Sequence, residues 1–317
     1  MSARDGVAVV GGGAWGLALA TAAARAGKTA LLLSRRSLNG EAPKGVSLAK
    51  DYAEIAEKTR LVILAVPSAA SRVVARALGE HVDGRHMVVH GVRGLVDDAM
   101  ETIGDVVRDE SPARRIGALG GPALVDDLLV GRPSVLVCGS QFPEVNEAVS
   151  ECFTHETLRL YTTHDRRGLE WASALVGCLA IGMGYAQGIG ASPGLIAALL
   201  SRSVHEAGRL AEAAGGEERT LLGLAGYGDL LAAVGQERRP EIVLGRALAQ
   251  GEKLETALAS AGQRVEAVEL APRVVRWADR RGVRAPIFHM LADGVLSSKP
   301  TTEILHAMMT GPLEAGS

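Results

Sequence analysis

A glycine-rich turn that directly follows a short apolar run limits what this chain can fold into more than any other feature. Residues 6–10 read GVAVV, residues 11–16 read GGGAWG, and a helical stretch then leads to a second apolar run, TALLLS, at 29–34. A strand, a glycine turn that opens a helix, and a second strand within about 30 residues form the unit that binds a dinucleotide. The pattern predicts an α/β fold whose N-terminal part is a Rossmann-type, doubly wound parallel sheet.

The G-x-G-x-x-G turn supplies the first predicted cofactor contacts. Gly11 permits the tight turn, Gly13 lets the backbone approach a pyrophosphate, and Gly16 lets the helix pack closely against the strand. The N–H groups at the start of the helix, from Ala14 and Trp15 onward, favour binding of the phosphates. We therefore expect these five residues to hold a dinucleotide.

The end of the second predicted strand favours NADP. An acidic residue there would bind the ribose 2′-hydroxyl, but this chain has Ser34, Arg35 and Arg36. A hydroxyl followed by two guanidinium groups suits a 2′-phosphate, because arginine binds phosphate in a forked geometry. NADP is therefore the expected cofactor, and NAD is the alternative.

Further turns are expected at the same edge of the sheet. Other apolar runs predict strands at 61–66, 87–90, 116–119 and 134–138, and the segment 152–162 could close the sheet. The first three strands end in turns that contain Pro67, Gly91 to Gly94, and Gly121 with Pro122. Ligands of open parallel sheets bind at the carboxyl ends of the strands, so these turns are expected to face the cofactor.

The C-terminal half is predicted to be helical, because apolar residues recur there with helical periodicity. Helices are expected at 166–188, 193–214, 221–234, 240–250, 254–260, 264–281, 285–295 and 301–310. This predicts a cofactor-binding domain at 1–163 and an all-α domain at 164–317 for substrate binding and dimerisation. In such a layout the substrate is expected between the two domains.

Charge and cysteine content exclude several other classes. Lys plus Arg total 34 and Asp plus Glu total 36, which gives a formal charge of −2 and argues against a nucleic-acid partner. Three dispersed cysteines in apolar settings fit neither a disulfide framework nor a metal site, so they are expected to be reduced core thiols.

The sequence is also searched for segments that direct a protein to a membrane or out of the cell. We find no signal peptide and no run of about 18 uncharged apolar residues, so a cytoplasmic protein without a membrane partner is expected. The mean hydropathy of +0.16 is consistent with a homodimer.

Several segments together resemble one known family. They are GGGAWG at 11–16, VILAVPS at 62–68, LGGP at 119–122, HDRRGLEWASAL at 164–175, AALLSRSVHE at 197–206 and LAGYGDL at 224–230. They resemble the NAD(P)-dependent glycerol-3-phosphate dehydrogenases of the bacterial type. The resemblance implies hydride transfer between a nicotinamide and a small anionic hydroxy or keto substrate, phosphorylated or carboxylated. It also places Glu170 and Asp229 at acidic positions of the family.

The chain departs from the resembled family at site positions. The family's K-G-[IL] loop begins at Arg93 here, and its A-L-K-N motif, which carries the lysine implied as acid/base, ends in Val176 and Gly177. The asparagine of its G-x-N falls on Ser192, and its phosphate-binding S-R-N falls on 239–241.

The resemblance and these departures define the candidate residues. The catalytic candidates are Asp229, Arg93 and Glu170, and the candidates for binding an anionic substrate are Arg93, Ser192, Arg238 and Arg239.

The missing lysine bears on proton transfer. The chain has no lysine between Lys58 and Lys253. A lysine of lowered pKa can give and take a proton near neutrality, whereas arginine can only polarise a carbonyl or bind an anion, and valine can do neither. Losing such a group costs on the order of 10²–10⁴ in rate. Asp229 is also expected to lack its charge partner.

Three functions stay open at this point. The first is an NAD(P)H-dependent oxidoreductase with an altered acid/base, for which the candidate proton donors are His90, His164, Glu170, Tyr185 and Tyr227. The second is a weak but ordinary sn-glycerol-3-phosphate dehydrogenase. The third is a non-catalytic sensor or partner protein that binds a dinucleotide. The intact glycine loop predicts cofactor binding under all three.

Overall fold

The apolar runs of the N-terminal half form a single sheet in the computed structural model. The model describes residues 6–35, 42–262, 264–297, 299 and 303–304. Its strands are β1 Val7–Val10, β2 Ala30–Leu33, β3 Val46–Leu48, β4 Leu61–Leu64, β5 Met87–His90, β6 Arg115–Gly120, β7 Ser134–Gly139 and β8 Leu158–Thr163. The strand order is β3-β2-β1-β4-β5-β6-β7-β8, and each pairing is parallel except that of β6 with β7. The predicted doubly wound sheet is confirmed.

Helices cover both faces of this sheet. They are α1 Ala14–Arg25, α2 Tyr52–Lys58, α3 Ser71–Gly79, α4 Ile103–Glu110, α5 Val125–Val130 and α6 Pro143–Phe153. Val7 and Val9 of β1 pack in the core with α1, α5 and α6, while Ala8 and Val10 pack in the core with α2, α3 and α4. Burial on both faces explains why the strands read as continuous apolar runs.

The second half of the chain is helical, as the sequence predicts. Its helices are α7 Arg166–Gly188, α8 Pro193–Ala213, α9 Glu218–Leu222, α10 Asp229–Val234, α11 Pro240–Ala249, α12 Leu254–Ser260, α13 Ala267–Arg281 and α14 Pro286–His289. The chain divides into two compact units, Met1–Asp97 with Glu101–Ser173 and Asp98–Met100 with Ala174–Ser317.

Two predicted helices are interrupted. The segment 221–234 is not one helix, because a π-helical turn at Leu224–Gly228 separates α9 from α10. A side chain at Gly226 would lie 2.1 Å from the Leu221 carbonyl oxygen, so only glycine fits this turn. The segment 285–295 divides into α14 and a π-helical turn at Met290–Val295. Of the helix predicted at 301–310, all but residues 303 and 304 lie outside the described residues.

The longest helix corrects one sequence-based expectation. We expected no run able to cross a membrane, but α7 has the length and mean hydropathy to do so. Its most apolar 18-residue window is 94% buried inside the protein, as is usual for a core helix. The three cysteines, Cys138, Cys152 and Cys178, are free and buried, as predicted.

Candidate active site

Five loops that carry predicted cofactor or substrate residues leave the same edge of the sheet. The parallel strands β2, β1, β4, β5 and β6 are consecutive in the sheet, so their carboxyl ends lie side by side. The loops that follow these strands carry, in the same order along the edge, Ser34, Gly11, Pro67, Arg93 and Gly121. The strand order reverses between β1 and β4, and ligands of such sheets bind at this reversal.

The glycine turn after β1 is shaped by contacts that leave no room for side chains. Gly11 has φ of +124°, and a Cβ there would lie 2.2 Å from the carbonyl oxygen of Ala65. A Cβ on Gly16 would lie 1.9 Å from the carbonyl oxygen of Gly11. A Cβ on Gly13, by contrast, would meet no atom of the described residues within 4 Å. Gly11 and Gly16 are therefore required by packing, whereas the surface of Gly13 is open to a ligand.

The start of α1 has the chemistry of a phosphate site. Gly13 is its N-cap, no side chain of a described residue caps the first turn, and the turn has no acidic residue. The indole Nε1 of Trp15 is buried and has no hydrogen-bond partner among the described residues. A Cβ on Gly91 would lie 2.5 Å from this nitrogen. An acceptor on a bound ligand would satisfy the indole, so these residues fit a dinucleotide.

The end of β2 holds the residues predicted to select NADP. The Ser34 hydroxyl lies against the glycine turn. Its Oγ is only 2.0 Å from the point that a Cβ on Gly12 would occupy. Arg35 is exposed. Burial raises the pKa of the Tyr52 hydroxyl at the start of α2, and the positive charge of Arg35 partly opposes this rise. Arg36 lies outside the described residues.

The loops after β5 and β6 are tied together by an arginine. Nη2 of Arg93 donates a hydrogen bond of 3.1 Å to the Gly121 carbonyl oxygen. Gly121 has φ of +95°, and Pro122 follows it half-buried at the sheet edge. Pro67 is exposed and precedes a short 3-10 turn, Ser68–Ala70. Arg93 thus lies among the loops at the carboxyl edge of the sheet.

Glu170 lies in a buried charged network of the first unit, with its side chain 1% exposed. One carboxylate oxygen accepts hydrogen bonds of 2.7 Å from His90 Nε2 and from the Gly104 backbone N–H. The other accepts one of 2.6 Å from Arg166. Burial alone would raise the pKa of Glu170, but the hydrogen bond from His90 and the charge of Arg166 hold it below its ordinary value.

The His90 ring is fixed by the same network. The Val92 N–H donates to its Nδ1 at 3.3 Å, which leaves the proton on Nε2 to bond Glu170. His90 and Glu170 are thus each engaged by protein groups. Of the other candidate proton donors, Tyr185 is buried, while His164 and Tyr227 are exposed.

A second charged cluster lies in the helical unit and corrects an expectation. Asp229, at the start of α10, is fully buried, and we expected it to lack a charge partner. Instead Nη1 of Arg239 donates to Asp229 Oδ1 at 3.2 Å, and its Nε donates to Glu241 Oε2 at 3.1 Å. Burial would lower the pKa of Arg239, but the two carboxylates raise it. The guanidinium is thus a permanent cation, with 9% of its side chain exposed.

This cluster lies beside Gly177 of α7. A Cβ on Gly177 would lie 3.8 Å from Glu241 Oε1, so this turn of α7 passes beside the cluster. Val176 is buried. Glu241 was not among the sequence-derived candidates. The sequence could have pointed to Glu241, because it is an acidic residue in the first turn of a helix and lies two residues after Arg239.

Two further candidates also belong to the helical unit. Ser192 is the N-cap of α8, and its hydroxyl accepts a hydrogen bond of 3.3 Å from the Leu195 N–H. Arg238 is exposed in the turn before α11.

Both halves of the chain match known protein families. Residues 6–146 match the N-terminal domain of NAD-dependent glycerol-3-phosphate dehydrogenase, and residues 165–306 match its C-terminal domain. A glycerol-3-phosphate dehydrogenase [NAD(P)+] of Thioalkalivibrio sulfidiphilus is 32% identical over 302 residues, which cover 90% of this chain and 91% of the relative. The chain belongs to the NAD-dependent glycerol-3-phosphate dehydrogenase family.

Other members of the glycerol-3-phosphate dehydrogenase family agree with this assignment. A glycerol-3-phosphate dehydrogenase [NAD(P)+] of Nitratidesulfovibrio vulgaris is 29% identical over 97% of this chain and 98% of its own length. The crystal structure of glycerol-3-phosphate dehydrogenase from Coxiella burnetii has a TM-score of 0.89 at 23% identity, covering 97% of this chain and 99% of that one, which shows the shared fold. The predicted family and the prediction of an NAD(P)-dependent dehydrogenase are confirmed.

Proposed function

We propose that this chain is an NADP-preferring oxidoreductase that interconverts dihydroxyacetone phosphate and sn-glycerol 3-phosphate, at a rate below that of a lysine-bearing member of its family. The match of both halves of the chain to the two domains of one dehydrogenase family carries this proposal. A bound reduced nicotinamide supplies the hydride.

The residues at the sheet edge hold the cofactor in this proposal. Backbone N–H groups at the start of α1 bind the pyrophosphate, because the open surface of Gly13 lets it approach. Ser34, Arg35 and Arg36 bind the 2′-phosphate. Arg93, which bonds the Gly121 carbonyl oxygen, orients the substrate at the neighbouring loops.

The low rate follows from Val176. Valine cannot supply a proton to the new hydroxyl, so positioning and the fixed charges of the site carry the reaction, and water supplies the proton. The expected loss is on the order of 10²–10⁴ in kcat.

The cluster around Asp229 favours a second candidate function. Arg239 neutralises Asp229 without being able to act as an acid. Because Arg239 is already bonded to Asp229 and Glu241, the anionic group of a substrate is left to other cations such as Arg93, and a related small anionic ketone, phosphorylated or carboxylated, is the second candidate beside dihydroxyacetone phosphate.

Cofactor titration and turnover test these proposals together. NADPH is expected to bind at least ~10-fold more tightly than NADH, and Arg35→Ala should remove most of this difference, because it deletes a charge-assisted hydrogen bond. Arg60→Ala, an exposed arginine before β4, is the matched control and should leave the preference unchanged.

Turnover is measured as NADPH oxidation with dihydroxyacetone phosphate and then with a panel of keto acids and phosphorylated ketones. The main proposal expects dihydroxyacetone phosphate to give the highest kcat/KM. A different best ketone would support the second candidate. Tight NADPH binding without turnover of any ketone would contradict both and favour a dinucleotide sensor.

A further inference from the structure

The loop that carries Arg93 is held at both ends by one buried carboxylate oxygen. Oε1 of Glu170 accepts a hydrogen bond of 2.7 Å from Nε2 of His90, the last residue of β5. It accepts another of 2.7 Å from the backbone N–H of Gly104 in the first turn of α4. Residues 91–103 lie between these two donors, and Arg93 is the third residue after His90. Glu170 thus closes this loop at its base.

The same loop is tied at two further places. The Val92 N–H donates to Nδ1 of His90 at 3.3 Å, so the imidazole also holds the backbone next to Arg93. Farther along, Val96 and Glu101 pair as an antiparallel bridge, with N–H to carbonyl distances of 2.8 and 3.0 Å. The backbone that carries Arg93 therefore follows the position of the His90 ring.

The base of the loop has a fixed geometry. The side chains of Glu170 and His90 are 1% and 2% exposed, and burying a carboxylate is unfavourable unless charges and hydrogen bonds compensate it. Arg166 compensates the second oxygen of Glu170 with a hydrogen bond of 2.6 Å. A Cβ on Gly104 would lie 1.7 Å from Nη1 of Arg166, so the start of α4 approaches this network as closely as only glycine allows.

Arg93 depends on this geometry because its side chain is long and joins two loops. Its Nη2 donates to the Gly121 carbonyl oxygen at 3.1 Å, which places the guanidinium at the carboxyl edge of the sheet. A displacement of about 1 Å in a group that orients a substrate can cost on the order of 10²-fold in rate. Residues that fix the base of the loop can therefore control substrate binding without touching the substrate.

We propose that Glu170 and His90 are the positioning residues of Arg93: they fix the base of its loop, and through it the place where the guanidinium meets the anionic group of the substrate. This inference rests on the proposed function, in which Arg93 orients the substrate. It goes further by giving two residues that the sequence marks as candidates for catalysis a role that needs no proton transfer.

Two substitutions of His90 separate positioning from proton transfer. Glutamine keeps an N–H donor that can reach Glu170, whereas leucine has none, and neither side chain can act as an acid near neutral pH. The measurement is calorimetric titration of dihydroxyacetone phosphate into the protein saturated with NADP, the oxidised cofactor, which has no hydride to give. We expect His90→Leu to raise the Kd by ~10-fold or more and His90→Gln to change it by less than ~3-fold. Equal losses of kcat in both variants with an unchanged Kd would show that His90 donates a proton, and would overturn the proposal.

A double-variant cycle shows whether His90 acts through Arg93. Arg93→Ala alone should raise the Kd of dihydroxyacetone phosphate, because it removes the cation. Adding His90→Leu to Arg93→Ala should raise the Kd no further, since the loop then carries no guanidinium to position. Effects of the two substitutions that simply multiply would overturn the proposal.

Asp105→Asn is the matched control for a general loss of stability. The Asp105 carboxylate bonds Arg166 at 3.0 Å and Arg167 at 2.7 Å, so it belongs to the same charged network. Asp105→Asn should lower the Tm but leave the Kd of dihydroxyacetone phosphate at the wild-type value. A rise in Kd as large as that in His90→Leu would show that destabilisation alone weakens binding, and would contradict the positioning role.

Hydrogen exchange detected by mass spectrometry tests the loop without cofactor or substrate. His90→Leu should increase the exchange rate of amides at 91–104 by ~10-fold or more, while the glycine turn at 11–16 stays at the wild-type rate. Glu170→Ala removes both ties and should increase exchange at 91–104 at least as much. His90→Gln should stay close to the wild type. Unchanged exchange at 91–104 in His90→Leu would overturn the proposal.

These measurements separate the two proposals. If dihydroxyacetone phosphate binds but is not reduced by NADPH, the proposed function fails, and the Kd cycle still decides whether His90 acts through Arg93. If it does not bind, the proposed function fails as well, and hydrogen exchange decides whether Glu170 and His90 fix the loop. If His90→Leu does not fold, His90→Asn replaces it, because its shorter amide cannot reach Glu170, and the same rise in Kd is expected.

Discussion

At the scale of single residues, the glycine turn contains one glycine that packing requires, Gly16, and one that leaves room for a ligand, Gly13. A Cβ at Gly16 would collide with the Gly11 carbonyl oxygen at 1.9 Å, whereas one at Gly13 would meet nothing within 4 Å in the part of the chain that the structure describes. Gly16→Ala should therefore lower the free energy of unfolding by about 1–3 kcal/mol. Gly13→Ala should leave the free energy of unfolding close to that of the wild type but weaken NADPH binding, because the new methyl group occupies the space of the pyrophosphate.

Denaturant unfolding and a fluorescence titration with NADPH check this pair. Gly13→Ala with wild-type NADPH affinity would show that the pyrophosphate does not approach the turn at this residue.

Glu170 gives a pH-dependent prediction. Its pKa is lower in the folded protein than its ordinary value of 4.5, so its ionised form stabilises the fold above that value, and this stabilisation is lost as the pH falls through the folded pKa. Glu170→Gln should cost roughly 3–5 kcal/mol at neutral pH, because it breaks a buried charged network. The difference between wild type and variant should shrink as the pH falls below about 4.5.

The measurement is chemical unfolding of both proteins at several pH values. Glu54→Gln is the control, since Glu54 also has a lowered pKa but lies at the surface beside Lys58, and its loss should be much smaller. A Glu170→Gln difference that stays constant from neutral to acidic pH would show that the ionised network does not contribute.

At the scale of secondary structure, Ser192 lets capping be distinguished from substrate binding. Its hydroxyl caps α8 through the Leu195 N–H. Ser192→Ala should lower the free energy of unfolding by about 1 kcal/mol, while Ser192→Asn should keep the cap. If Ser192 also binds the substrate, Ser192→Ala raises the KM of the ketone as well. An increased KM without any loss of stability would contradict the capping role.

Element patterns show what a sequence can and cannot predict here. Strongly patterned segments, such as β1 with α1 and the long α7, were predicted with their type and approximate bounds. The strand β3 was not predicted, because it has three residues and lacks a long apolar run. The antiparallel direction of β7 was also not predicted, since strand direction depends on the connection between elements rather than on local pattern. The glycines from Gly226 to Gly228 indicate a break, and the π-helical turn at Leu224–Gly228 lies there, but the start of this break at Gly223 was not predicted because apolar residues continue on both sides of it.

At the scale of the whole molecule, the family and the loop edge were predictable but the charged pairs were not. The carboxyl-edge residues follow from the order of strands and turns along the chain. His90 and Glu170 were candidates separately, but they are 80 residues apart, and no periodicity links them. Arg239 and Asp229 are ten residues apart across a turn, so their contact depends on how α10 and α11 pack. The sequence therefore marked Asp229 and Arg239 as separate candidates but did not show that they form a buried pair.

The central claim is that this family member carries out a hydride transfer to dihydroxyacetone phosphate. A single-turnover reaction tests it most directly, with the protein in excess over NADPH, saturating dihydroxyacetone phosphate, and mass-spectrometric detection of the product. We expect each NADPH oxidised to yield one glycerol 3-phosphate, slowly but to completion. NADPH that is bound but stays reduced, with no glycerol 3-phosphate formed, would contradict it.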